Sequence, residues 1–111
     1  MSDAANRRRD YRHFPASYGD LIHRFHDTGR ASIGPISRKE AEVTRRDLYR
    51  FRTFLSAGVD ADPSDAFARE LLDKFSRVVL NIEPVATVDP RGTHCLVLSL
   101  NPVTAFMEAA P

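Results

Sequence analysis

One cysteine in 111 residues leaves no disulfide within the chain, so packing alone must hold the fold. Cys95 stands in the apolar run HCLVLSL, the setting of a buried, unreactive thiol in a reducing compartment. No stretch approaches the roughly 18 apolar residues that a membrane-spanning helix needs. The opening MSDAANRRRDYRHF has no apolar signal-peptide core, so the expected location is cytoplasmic, away from membranes. P-loop, dinucleotide and G-x-S-x-G motifs are all missing, which argues against an enzyme and leaves no cofactor to expect. Zinc-finger spacing, an RNP signature and a GXXG loop are missing too, as are internal repeats and low-complexity tracts. Glutamine is absent and asparagine occurs only at positions 6, 81 and 101, so any direct reading of bases would fall to arginine.

What remains is ordinary globular material, 42% apolar and 28% charged, in a length that suits one small domain. A chain of this size hides roughly two thirds of its unfolded surface at best, so a partner or self-association can contribute to its stability. The net charge of +1 conceals a division. Residues 1–58 hold twelve Lys or Arg against seven Asp or Glu, and residues 59–111 hold four against eight. A basic first half and an acidic second half point to an anionic partner, or to head-to-tail contact between copies as a homo-oligomer.

The pattern predicts an α+β fold of about three helices, two of them a long helical hairpin, on a small antiparallel sheet that ends in a C-terminal β-hairpin. Residues 1–16, with an RRR run and Pro15, read as a basic, partly flexible arm, and residues 17–111 as the domain. Ser17 suits the N-cap of a first helix with Leu21, Ile22 and Phe25 on its apolar side and Gly29 as its left-handed stop. Ser32 and Ile33 suit a short strand before a Gly34-Pro35 turn. Ser37 and Glu40 form a capping box for the central helix, which Gly58 should end. Asp62 before Pro63 suits the start of a third helix with Phe67, Leu71, Phe75 and Val78 inward. VATVD, the turn DPRG with Gly92 at positive φ, and THCLVLSL then read as the hairpin, the last strand apolar enough on both faces to be central.

The central segment SRKEAEVTRRDLYRFRTFL carries six basic and three aromatic side chains. Ala41, Thr44, Leu48, Phe51 and Leu55 form its core seam. Arg38, Arg45, Tyr49 and Arg52 lie along one line, Lys39, Arg46 and Arg50 along a neighbouring one, and both are expected to face largely away from that seam. Such a strip suits phosphates, with Tyr49 stacking on an unpaired base or bonding a phosphate. Arg30 and the Arg7, Arg8, Arg9 and Arg12 arm would extend the contact. Arginine supplies six of the seven cations from Arg24 to Arg50, which favours bidentate phosphate contact. The expected function is a small non-enzymatic accessory protein that binds DNA or RNA. The rivals are a plain solvated face and a protein-interaction module that docks an acidic surface, or an apolar one through Val43 and Phe54. His23 and His26 share a metal-compatible spacing, but nothing around them completes a site. His94 and Cys95 are adjacent on a strand, point to opposite faces and cannot form a nucleophile pair.

Overall fold

A computed structural model describes residues 10–100, beginning with a short 3-10 turn at Tyr11–His13. Helix α1 (Ala16–Thr28), strand β1 (Ser32–Ile36), helix α2 (Arg38–Ala61) and helix α3 (Ala66–Phe75) follow, then strands β2 (Val78–Pro84) and β3 (His94–Leu100). The sheet is antiparallel throughout in the order β1-β3-β2, so the last strand is central as its pattern predicts. The expected α+β class is what the chain adopts. Ile22 from α1, Leu48 and Leu55 from α2, Leu71 and Phe75 from α3, and Val78 and Leu96 from the sheet are fully buried at the centre.

Local chemistry explains the helix ends. The Ser37 hydroxyl accepts the Glu40 backbone N–H at 3.1 Å and starts α2, while the Glu40 carboxylate accepts the same hydroxyl. Gly29 stops α1 at φ 76°, a left-handed angle that a side chain resists. At the start of α1 the structure differs: Pro15 is the N-cap, with no side-chain bond, and Ser17 already lies inside the helix. Gly58 does not end α2, which runs three residues further, to Ala61. This glycine instead leaves room for the Tyr11 ring, since a Cβ there would stand 3.2 Å from Tyr11 Cδ2. The cap of α3 is Asp65 rather than Asp62, because Asp62 turns its carboxylate to the Ser64 N–H. Phe67 is correspondingly 56% exposed, and Ala68 takes the core position.

Residues 1–9 lie outside the described part of the chain, with Arg7, Arg8 and Arg9 among them. The remainder of the expected arm is built into the domain. Tyr11 is buried, and its hydroxyl donates to Asp65 Oδ2 at 2.7 Å while Asp65 Oδ1 caps α3 by accepting the Ala68 N–H. Burial, and then the bond to Asp65, push the Tyr11 phenol from its ordinary 10 up to about 12. The folded chain therefore keeps this proton where the unfolded chain loses it. The resulting stabilisation is complete below pH 10 and disappears as pH rises toward 12. Urea midpoints measured from pH 8 to 11.5 should fall above pH 10, and Tyr11→Phe should flatten part of that fall.

The hairpin lies one segment earlier than its sequence suggests. Val78 pairs with Leu100 and Pro84 with His94, so VVLNIEP is the partner of β3 and VATVD belongs to the connection. Gly92 in that connection has no positive φ; it is small because it lies against β1, where a Cβ would come within 2.2 Å of the Ile36 carbonyl carbon. β1 continues through Gly34 and Pro35 with a register shift between Ile33 and Ile36, in place of the expected turn. Cys95, expected to be buried, is half-buried, and its Sγ would stand 3.2 Å from a Cβ on Gly34.

Candidate nucleic-acid interface

The 24 residues of α2 make a helix about 36 Å long. Its buried side is Ala41, Leu48, Phe51 and Leu55. At about 100° per residue, Lys39, Arg46 and Arg50 stand about 160–180° from Leu48, whereas Arg52 stands about 40° from it and Tyr49 about 100°. The two basic lines are therefore not one face, and the side chains confirm the division.

Tyr49 and Arg52 turn toward the sheet. The Tyr49 hydroxyl accepts the Leu80 backbone N–H at 2.9 Å. The Arg52 guanidinium donates to the carbonyls of Val78 at 2.9 Å and Phe75 at 3.1 Å, and lies over the rings of Tyr49 and Phe75 at 4.9 and 5.1 Å. β2 is an edge strand, and in an antiparallel pair alternate residues aim both backbone groups away from the partner. Val78 and Leu80, two residues apart, are such positions, so Tyr49 and Arg52 satisfy the outer edge of β2. Neither is placed to stack on a base or to neutralise a phosphate, as their sequence position suggests.

Lys39 and Arg46 are exposed, and Arg45 is half-buried on the flank that Arg52 shares. None of these three makes an ion pair with any described residue. Arg38 lies 3.4 Å from Glu42, and Arg50 lies 3.9 Å from Asp47, whose other oxygen accepts the Tyr18 hydroxyl at 2.7 Å. Both ion pairs are exposed, and pairs of this kind contribute about 0–1 kcal/mol, so a phosphate competes for either arginine at little cost. Arg30 is exposed in the connection between α1 and β1, on a different element from the α2 cations.

The two apolar residues expected at a partner surface also separate. Val43 is 50% exposed among the outer cations. Phe54 is half-buried: its ring meets Phe14 edge-on at 5.3 Å, and the Arg50 guanidinium lies 5.8 Å from its centre. Phe14 in turn contacts Phe51 and Tyr18, so Phe54 belongs to an aromatic cluster between α1 and α2. Sequence spacing gave no sign of that cluster, because its ring at position 14 comes from the segment read as an arm.

Other chemistry has little to work with. Among the described residues there is no group of three or more His, Cys, Asp or Glu that can hold a metal ion. His23 does have a neighbour: Lys74 Nζ stands 3.0 Å from its Nδ1 and 3.0 Å from Glu70 Oε2, which ties α1 to α3. No helix among the described residues is long and apolar enough to cross a membrane. Comparison with protein-family models, with curated proteins and with solved structures returned no match. Fold and surface together define a small α+β domain with a long helix whose outer side is cationic.

Proposed function

We propose that this chain is a non-enzymatic nucleic-acid-binding protein that contacts backbone phosphates through the outer face of α2. One observation carries the reading: on the outer face Lys39 and Arg46 have no acidic partner among the described residues, and neither has Arg45 on the adjoining flank, although Glu42 and Asp47 lie on the same helix and pair with Arg38 and Arg50. Lys39, Arg46 and Arg50 thus share one sector of the helix, with Arg45 about 100° round from Arg46. Phosphate contacts of this kind position a nucleic acid without reading its sequence, and they release counterions when they form.

Fluorescence anisotropy of labelled oligonucleotides, titrated with the protein at a series of salt concentrations, tests this. Three to four phosphate contacts predict a slope of log K against log salt of about −3 on B-form DNA. Lys39→Ala with Arg46→Ala should weaken binding to every sequence alike and reduce the slope by about 2. Absence of binding at low salt would sink the reading and redirect the same cations to an acidic protein surface.

A further inference from the structure

Resting on that reading, we infer that the ligand is a double helix rather than a single strand. Proteins that hold single strands combine cations with aromatic rings on which unpaired bases stack, and those rings supply much of the affinity. The α2 strip has one aromatic residue among its cations, Tyr49, and the structure spends it elsewhere. Its hydroxyl holds the Leu80 N–H at 2.9 Å and the Arg52 guanidinium covers its ring at 4.9 Å. Phe54, the nearest alternative, is held edge-on by Phe14 at 5.3 Å, with the Arg50 guanidinium 5.8 Å from its centre.

The outer sector is thus Lys39, Glu42, Val43, Arg46, Arg50 and Thr53, with cations and no ring. A double helix hides the faces of its bases and offers rows of phosphates, so it loses nothing on such a surface, whereas a single strand forfeits its stacking. From Lys39 to Arg50 the helix rises about 16 Å, a length of about five base pairs at 3.4 Å each. The shared chemistry is that of paired phosphate rows, available from duplex DNA or duplex RNA.

The experiment compares four probes of one sequence, about 16 nucleotides long: duplex DNA, duplex RNA and the single strand of each, by anisotropy at the same salt. At least one duplex should bind about tenfold more tightly than its own single strand, and the two duplexes distinguish the sources. Single strands that bind as tightly as both duplexes would overturn the inference and leave the nucleic-acid reading standing. No binding in any arm would overturn both. Val43→Tyr puts a ring on an exposed position at the centre of the face. It should raise single-strand affinity about tenfold relative to duplex, and an unchanged ratio would mean that a missing ring is not the reason for the preference.

Discussion

Arg52→Ala should lower the free energy of unfolding by about 3 kcal/mol, a larger effect than any substitution of the exposed cations. The guanidinium donates to two backbone carbonyls, Phe75 and Val78, at the point where α3 gives way to β2, and it lies over two rings. Charge-assisted bonds of this sort are each worth about 1.5–3 kcal/mol, and removing the donor leaves two part-buried carbonyls to find water. A thermal melt should move down on the order of 10–20 °C for a domain this small. Arg52→Lys should recover less than half, since an ammonium lacks the planar guanidinium that lies over the Tyr49 and Phe75 rings while one of its nitrogens donates to both carbonyls. If Arg52→Ala instead melts like the parent and loses oligonucleotide binding, the side chain faces outward and the assignment to the sheet is wrong.

A second substitution of comparable effect is Gly92→Ala. The new Cβ would sit 2.2, 2.3 and 2.4 Å from the carbonyl carbon, oxygen and Cα of Ile36, all backbone atoms that cannot rotate away. Either the β2–β3 connection lifts off or the end of β1 leaves β3, at about 2–4 kcal/mol. Gly29→Ala is the informative contrast. It meets nothing within 4 Å and suffers only from φ 76°, so about 1 kcal/mol is expected. Urea denaturation of the two variants, with amide exchange across residues 32–36, separates loss of space from loss of backbone freedom. A Gly92→Ala protein as stable as the parent would show that the connection is not seated on Ile36.

The parts of this fold that were legible in the sequence are those where one local rule acts alone. The Ser37 cap, the Leu48 seam and the Gly29 stop each follow from capping, periodicity or a positive φ, and each holds in the structure, although the Glu40 carboxylate takes the Ser37 hydroxyl in place of the Ser37 N–H that a full capping box requires. The misread parts are those where two periods or two needs overlap. Phe67, Leu71, Phe75 and Val78 continue a helical spacing straight through the two-residue link Ser76 and Arg77, which hid the start of β2. Gly58 looks like a stop because nothing in the sequence shows that Tyr11 packs on it. For the site, the helical wheel already separates Arg52 from the outer cations. Arg52 lies close to Leu48 in angle, so its stem runs beside the seam and its guanidinium comes up against the backbone that packs there. That Tyr49 would find Leu80 was not legible, because it depends on where an edge strand 31 residues away comes to rest.

The bonds that Tyr49 and Arg52 make to β2 also set a limit on what the sheet can join. An edge strand with open backbone groups is a template on which another chain can extend the sheet, the first step toward aggregation. Here the Leu80 donor and the Val78 acceptor are already occupied by side chains from α2. At the opposite edge, β1 breaks register between Ile33 and Ile36, and Pro35 has no N–H to offer. The outer Val78 carbonyl and Leu80 N–H of β2, and position 35 of β1, are therefore closed to an added strand, which places an obstacle to sheet extension on each edge.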